Sequence, residues 1–219
     1  MLASQFSFSN LPLVNFTDRV SFALRLMEDY DLHHLPVMHE GKFAGLIDKD
    51  DLLDEEEKTI IGSIEYQIKK VFVKSDDHFL TALKLAVDFG VSIIPVINNE
   101  GELLGTISRQ DLLRAVSVFY SMEEPGGLVV LEMEKRNYAF GELSRLVETN
   151  DAVITQLNTS TEAATGLFIV TIKLNKLEIS DIIATFQRYD YTIRSYFGEE
   201  LYENELKENY DLLMTYLRM

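Results

Sequence analysis

The chain has 219 residues, enough for one large domain or two small domains with hydrophobic cores. It has no cysteine, which excludes disulfides, thiolate metal sites and cysteine nucleophiles, and no apolar run approaches the roughly 20 residues of a membrane span. The net charge of −16 is divided equally between residues 1–120 and 121–219, and no basic stripe is present to attract nucleic acid or an anionic membrane. Residues 1–10 make a poor secretory signal because they lack positive charge. We therefore expect a cytoplasmic protein that binds neither nucleic acid nor membrane.

The first half of the chain contains an internal repeat. At an offset of 59 residues, Leu35-Pro36-Val37 matches Ile94-Pro95-Val96. One inserted residue then changes the offset to 60, at which Gly45 matches Gly105 and Asp51-Leu52-Leu53 matches Asp111-Leu112-Leu113. So many matches with a single shift indicate a duplicated unit.

Each copy predicts the order helix, strand, glycine-bearing turn, strand, closing helix. A polar start, Thr17-Asp18 or Ser75-Asp76-Asp77, is expected to cap the first helix, whose apolar residues recur at spacings of three and four. The proline of the first strand lacks a backbone donor, so we expect it at a strand start or a sheet edge. The closing helices should begin near Asp48 and Ser108, with residues 54–57 as a solvated helical segment between the copies.

Both copies resemble the CBS motif. The second copy carries the resemblance most fully, from Ile94 to Val96 and from Gly101 to Leu112, and the first copy carries it from Leu35 to Val37 and from Gly45 to Leu52. Two such motifs in tandem resemble a Bateman module, in which two copies pack together about a pseudo-twofold axis. We expect this module to occupy residues 1–120, with repeat 1 at about 8–56 and repeat 2 at about 67–120.

The resemblance implies an adenine-nucleotide site in the second copy, with Ser108 and Asp111 at the start of the closing helix. In this family the aspartate accepts ribose hydroxyls, while the hydroxyl residue and the helix N-terminus meet phosphate, as the helix dipole favours. Arg109 is a further phosphate candidate, and Ile94 and Pro95 are candidates to border the base. AMP, ATP and S-adenosylmethionine are the expected ligand class.

Two observations weigh against such sites. In the first copy Asp48 replaces the hydroxyl residue, so a carboxylate lies where phosphate would bind and repels it. In the second copy Ser108-x-x-Asp111 is also close to a capping box, which completes a helix start without any ligand. The capping and nucleotide-binding interpretations both remain open from the sequence.

No catalytic or metal constellation is evident. His33, His34 and His39 cluster, but adjacent histidines on an extended strand point to opposite faces and do not readily share one ion. We predict surface or strand-flanking histidines, no metal site and no catalytic residues, and therefore a protein that is not an enzyme.

The second half predicts a separate domain at residues 126–198. Pro125-Gly126-Gly127 marks the boundary, and the following pattern gives strands at 128–134, 152–158, 167–174 and 191–197, a polar turn at 159–166, and helical stripes at 140–147 and 179–186. This βαββαβ order is the ferredoxin-like plan. The segment from Val130 to Leu143 resembles the first strand and loop of an ACT domain, although Tyr138 replaces the glycine at which such domains bind amino acids. Sheet-to-sheet dimerisation is the expected role.

The fold class is thus α+β or α/β: tandem CBS repeats, an ACT-like domain, and a C-terminal amphipathic helix at residues 199–219. The whole arrangement resembles the acetoin-utilisation protein B type of regulatory protein. It implies a homodimeric regulator that senses an adenine nucleotide and acts on a partner protein. The alternative is a ligand-free scaffold or accessory subunit that uses both domains for oligomerisation.

Overall fold

The computed structural model describes residues 1–7 and 12–199. The chain divides into two compact units, residues Met1–Ser117 and Val118–Met219. The amphipathic helix predicted for residues 199–219 lies outside the described part, apart from Glu199.

The first unit contains the two sequence repeats. Repeat 1 forms β1 (Val14–Asn15), α1 (Val20–Asp29), β2 (His34–His39), β3 (Lys42–Asp48) and α2 (Lys49–Leu53), and repeat 2 forms β4 (Val73–Lys74), α3 (Phe79–Phe89), β5 (Ile93–Ile97), β6 (Leu103–Ser108) and α4 (Arg109–Phe119). Each repeat has a three-stranded sheet with the strand of the proline in the centre, parallel to the first strand and antiparallel to the third. The predicted order of elements is confirmed in both copies.

The two repeats share their hydrophobic interior. Leu46 of β3 in repeat 1 is fully buried within the apolar cluster that Ile94, Val96 and Ile107 form in repeat 2. Leu32, between α1 and β2, packs against the clusters of both repeats. The duplicated units therefore pack against each other.

Each repeat packs with a short 3-10 helix that directly precedes the other repeat in sequence. Residues Ala3–Phe6 precede repeat 1, yet Ala3 is buried in the core of repeat 2 and donates its backbone N–H to Asp77 O at 2.8 Å. Residues Ile61–Gln67 precede repeat 2, yet Ile61 and Ile64 are buried in the core of repeat 1. This cross-packing was not predicted from the sequence.

The predicted side-chain caps of α1 and α3 are wrong. Asp18 and Asp77 instead accept the backbone N–H of Asn15 and Lys74, at 2.7 and 2.8 Å, and so form equivalent turns in the two repeats. Carbonyl groups just before the 3-10 helices serve the helix starts, because Thr59 O accepts from Val20 N and Met1 O accepts from Phe79 N. In α3 the His78 side chain also accepts the Leu80 N–H, at 3.4 Å.

The predicted position of the prolines is also wrong, because Pro36 and Pro95 lie in the middle of the central strands β2 and β5. Pro36 is paired with Leu46, whose N–H and C=O both bond to Lys69 and therefore point away from β2. This is a non-hydrogen-bonded pair, so β3 needs no donor from Pro36. On the other side, the pairing of β1 with β2 covers Val37 and Met38, beyond the proline.

Two smaller predictions also differ from the structure. Helix α2 ends at Leu53, so residues 54–57 form turns and not a helical segment. The predicted polar turn at 159–166 begins later, since the second strand of the second unit continues to Thr161. Pairing with the neighbouring strand extends through Thr161, which overrides the local turn preference of these polar residues.

The second unit has the order β7 (Leu128–Met133), α5 (Phe140–Glu148), β8 (Ile154–Thr161), β9 (Phe168–Leu174), α6 (Ser180–Arg188) and β10 (Thr192–Phe197). Its antiparallel sheet has the strand order β10-β7-β9-β8. Alternate residues of β7 and β9 are buried with the apolar faces of α5 and α6, so both helices cover the same face of the sheet.

Candidate functional site

The start of α4 brings Ser108 and Asp111 into direct contact. Asp111 Oδ2 accepts the Ser108 hydroxyl at 2.5 Å and the Ser108 backbone N–H at 3.1 Å, and Ser108 Oγ accepts the Asp111 N–H at 3.1 Å. These reciprocal bonds are those of a capping box. Asp111 Oδ1 lies 4.0 Å from Arg114 Nη1, beyond hydrogen-bond distance, so this oxygen keeps acceptor capacity at a side chain that is 14% exposed.

The guanidinium of Arg109 is directed to the end of α3. Its Nη2 donates to Gly90 O at 2.7 Å and its Nε donates to Val91 O at 3.2 Å. Gly90 is the left-handed residue that ends α3, so Arg109 holds the start of α4 against the carbonyl end of another helix. Those carbonyls orient Arg109, and the structure does not bring its guanidinium to the Ser108–Asp111 pair.

Ile94 and Pro95 are both buried in β5, with Ile94 inside the core of repeat 2. Thr106, paired with Pro95 across the sheet, lies on the same face of β6 as Ser108. Its hydroxyl is buried and has no hydrogen-bond partner among the described residues. A buried hydroxyl three residues before the first residue of α4 is an additional polar group for a ligand at that helix start.

The equivalent position in repeat 1 holds an ion-pair cluster. Asp48 caps α2 by accepting the Asp50 N–H at 3.1 Å, and its Oδ2 lies 3.3 Å from His34 Nε2 and 3.5 Å from Lys69 Nζ. The same ammonium lies 3.5 Å from Asp51 Oδ2. Lys69 therefore bridges the two carboxylates that correspond to Ser108 and Asp111.

His34 connects this cluster to repeat 2. The Ser92 N–H donates to His34 Nδ1 at 3.3 Å, and the Ser92 hydroxyl lies 3.0 Å from the same nitrogen. A backbone N–H can only donate, so Nδ1 is the acceptor and the ring proton is on Nε2, where it donates to Asp48. His34 is 6% exposed and lies between the two repeats.

The surroundings of His34 and Asp48 shift the pKa of each side chain. Burial lowers the pKa of His34, the Asp48 carboxylate raises it in part, and the charges of Lys69, His33 and Arg109 lower it further, with a net decrease. Partial burial alone would raise the pKa of Asp48, but the Asp50 N–H, His34 and Lys69 outweigh it, so that pKa is lowered. The structure therefore favours neutral His34 beside ionised Asp48.

His34, Lys69 and Ser92 were missed as site residues in the sequence. The expectation of surface or strand-flanking histidines is right for exposed His33 and wrong for buried His34. Lys69 lies outside the motif, in the segment that pairs with Leu46 through two backbone hydrogen bonds. The signal for His34 was its position at the start of a wholly apolar strand, where one of two adjacent side chains must face the interior.

Within residues 1–7 and 12–199, no group of three or more His, Asp or Glu side chains is arranged to hold a metal ion. In the same part of the chain, every helix is too short or too polar to traverse a lipid bilayer.

The loop after β7 shows why Tyr138 is unlike the glycine of an ACT ligand site. Its ring packs edge-on against Phe168, with the centroids 5.2 Å apart, at the border of the core. The cleft beside this loop measures about 710 Å³, and carboxylates dominate the charged groups on its wall: Glu132, Glu134, Glu142 and Asp190, with Arg136 as the cation. Arg136 is paired with Glu134 at 2.7 Å. Such a cleft disfavours a ligand that carries a carboxylate.

A second cleft of about 500 Å³ lies on the other face of this sheet. Gln156 Nε2 donates to Phe119 O at 3.0 Å, and Lys173 Nζ donates to Ser121 O, so the segment before β7 is attached to β8 and β9. The cleft between this segment and the sheet is lined mostly by apolar atoms.

Comparison with known proteins identifies the first unit. The family model described as CBS domain matches residues 3–58 and again residues 63–118. The two matches together cover half of the chain. This chain belongs to the CBS domain family. The predicted tandem CBS pair is thereby confirmed.

Two curated relatives each match about half of the chain or slightly less. An uncharacterised protein of Methanocaldococcus jannaschii is 21% identical over 113 residues, which are 51% of this chain and 43% of the relative. Inosine-5'-monophosphate dehydrogenase of the same organism is 32% identical over 98 residues, which are 44% of this chain and 20% of the enzyme. The chain thus spans less than half of the length of the curated relatives that it matches.

A solved structure of a CBS domain pair/ACT domain protein from Thermotoga maritima is also similar. It is 25% identical with a TM-score of 0.50, and the match covers 54% of this chain and 98% of that chain.

Proposed function

We propose that this chain is a non-enzymatic cytoplasmic regulator whose CBS pair binds one adenine nucleotide at the start of α4. Asp111 Oδ1 accepts a ribose hydroxyl, and Ser108, Thr106 and the helix N-terminus meet the polar part of the ligand. The observation that carries the proposal is the buried Thr106 hydroxyl without a partner among the described residues, beside an 11-residue helix whose N-terminus attracts anions.

The first repeat does not take part in binding. Lys69 already neutralises Asp48 and Asp51, so the position of a phosphate is filled by an internal cation and two carboxylates. An entering phosphate would have to displace Lys69 and then face both carboxylates. We therefore expect one nucleotide per chain.

The competing function is a ligand-free scaffold or accessory subunit. The reciprocal Ser108–Asp111 bonds favour it, because they complete the start of α4 without any ligand. The two functions differ in whether purified protein binds nucleotide at all.

Calorimetric titration with AMP, ATP and S-adenosylmethionine tests the proposal. We expect binding of at least one of them with a stoichiometry of one per chain, and loss of about tenfold or more in affinity for Asp111→Ala and for Thr106→Val. Asp51→Ala is the matched control in repeat 1 and should leave the affinity unchanged. Absence of binding by the wild type, or equal binding by Asp111→Ala, refutes the site and favours the scaffold.

For the second unit we propose an ACT-like domain at residues 126–198 that stabilises a homodimer. The β10-β7-β9-β8 order is that of a ferredoxin-like sheet, and the Thermotoga maritima relative is described as a CBS domain pair/ACT domain protein. With Tyr138 in the loop, we propose no amino-acid ligand. We also propose that the chain shares the domain arrangement of the acetoin-utilisation protein B type and acts on a regulated partner protein.

The CBS pair offers a further surface for the homodimer. Leu53 in α2 and Leu113 in α4 are 61% and 67% exposed, and they occupy equivalent positions in the two repeats. Two large apolar side chains related by the internal duplication suit a symmetric contact with a second copy of the chain.

A further inference from the structure

We infer that His34 is a proton-controlled positioning residue for the start of α4, linking the anion affinity of repeat 2 to the protonation of a side chain in repeat 1. The inference rests on the proposed nucleotide site and adds its regulation. Its basis is a continuous chain of contacts from Asp48 through His34 and Ser92 to Arg109.

Ser92 is the connecting residue. Its N–H donates to His34 Nδ1, and its carbonyl oxygen accepts the backbone N–H of Arg109 at 3.2 Å. Arg109 is the first residue of α4, and Ser108 precedes it directly. The position of Ser92 thus fixes one donor of the same helix start that carries Ser108 and Asp111.

The bond from the Ser92 backbone N–H to His34 Nδ1 exists only with a neutral imidazole. A proton on Nδ1 would face the Ser92 N–H, which is itself a donor and cannot reverse its role. The Ser92 hydroxyl can rotate and accept instead, but the backbone N–H then lacks its acceptor in a part-buried position. Protonation therefore breaks the bond from the Ser92 backbone N–H to His34 and shifts Ser92, whose carbonyl holds Arg109.

The groups around His34 are of both signs. Asp48, at the end of β3, accepts from Nε2 and stabilises a charged ring, whereas Lys69 from the linker, His33 from its own chain segment and Arg109 from α4 oppose the charge. Burial opposes it most strongly, so the pKa of His34 lies below its ordinary value. The contact is intact at neutral pH and is lost as the pH falls through the folded pKa of His34.

The lowered pKa of His34 makes the folded chain less stable as the pH falls. An unfolded chain takes up the proton near pH 6.5, before the folded chain does, so the unfolded state binds more protons as the pH falls below that value. Stability is therefore lost as the pH falls from about 6.5 to the folded pKa of His34, and it is fully present above that window.

A paired NMR and calorimetric experiment on the full chain tests the inference. In the wild type, the amide signals of Ser92 and Arg109 should titrate with the same midpoint as the His34 ring nitrogens, below pH 6.5. His34→Gln, which is neutral at every pH, should abolish both amide titrations. His33→Gln removes one of the charges that oppose protonation of His34, so it should keep both amide titrations, with a midpoint that is unchanged or higher than in the wild type.

The affinity measurement uses AMP at pH 7.5 and at a pH below the His34 midpoint found by NMR. Since the phosphate of AMP itself titrates near pH 6, the measured quantity is the ratio of the two affinities in the wild type relative to that in His34→Gln. We expect acidification to lower the AMP affinity of the wild type by about fivefold or more beyond the decrease in His34→Gln. His34→Asn provides a second neutral variant if His34→Gln does not fold.

The outcomes separate the two proposals. If Ser92 and Arg109 do not titrate with His34, or if the neutral variant keeps the pH dependence of the wild type, the positioning role is overturned. If none of AMP, ATP and S-adenosylmethionine binds while the amides still titrate with His34, the nucleotide site is wrong and the proton-linked contact between the repeats stands.

Discussion

At the residue scale, Gly45 shows a requirement that the motif alone does not explain. A Cβ at this position would lie 2.8 Å from the Lys69 carbonyl oxygen and 2.5 Å from an Ile68 methyl group. The linker runs so close to β3 because Leu46 and Lys69 exchange two backbone hydrogen bonds. The glycine therefore allows the segment carrying Lys69 to reach Asp48 and Asp51.

We predict that Gly45→Ala destabilises the protein by about 1–3 kcal/mol through this overlap, measured by urea unfolding. It should also accelerate hydrogen exchange at the Lys69 amide, because the pairing of Lys69 with Leu46 loosens. Gly41→Ala is the matched control: its φ of +78° imposes a cost of about 1 kcal/mol, but its Cβ would meet no atom of residues 1–7 or 12–199 within 4 Å. Equal exchange at Lys69 in both variants would contradict the explanation.

The site residues were predictable only in part. The motif identified Ser108 and Asp111, which contact each other, but the sequence could not decide between a cap and a ligand site, because both use the same residue types at the same spacing. Lys69 and Ser92 were not predicted since their roles arise from contacts between segments far apart in the chain. Such contacts leave no periodic pattern in the sequence.

At the element scale, the helices and strands of the repeats followed from hydrophobic periodicity, whereas their ends did not. The starts of α1 and α3 are served by carbonyl groups of segments that lie elsewhere in sequence, so the nearby aspartates are released to form turns. The prolines are tolerated in central strands because pairing on each side leaves their position without a required donor. Tertiary contacts decided these features.

The packing of the first 3-10 helix predicts which repeat is destabilised by a substitution at Ala3. Replacing Ala3 with Asp puts a charge into the core of repeat 2 and should cost about 2–4 kcal/mol. Hydrogen exchange should increase in α3 and β4–β6, and much less in α1, although Ala3 precedes repeat 1 in sequence. Ser4→Asp, at the exposed neighbouring position, serves as the control. Faster exchange confined to repeat 1 would refute this assignment.

At the scale of the whole molecule, the duplication gave the architecture of the first unit, since equivalent sequences form equivalent sheets and helices. The two copies nevertheless differ at their helix starts. The start of the closing helix in repeat 1 is occupied by His34, Asp48 and Lys69. In repeat 2 it keeps a capped serine and aspartate beside the Thr106 hydroxyl, which has no partner in the described part of the chain. The same fold thus carries different polar groups at the two helix starts of one chain.

The proposed homodimer leads to a prediction on the paired leucines. Leu53→Asp and Leu113→Asp each place a charge on the proposed contact and should weaken dimerisation by about tenfold or more, measured by analytical ultracentrifugation. Lys84→Asp, on α3, controls for added negative charge. A dimer that is unchanged in both leucine variants would leave the second unit as the only proposed contact.

The exchange of 3-10 helices also bears on how this chain is assembled. The core of repeat 2 contains a residue that is made before repeat 1, and the core of repeat 1 contains residues that follow its own closing helix. During synthesis, the core of repeat 1 therefore stays incomplete until the linker has been made. Ala3 cannot be buried until repeat 2 has been made. Neither repeat is a contiguous folding unit, so an isolated copy cut at the motif boundaries would lack part of its own interior.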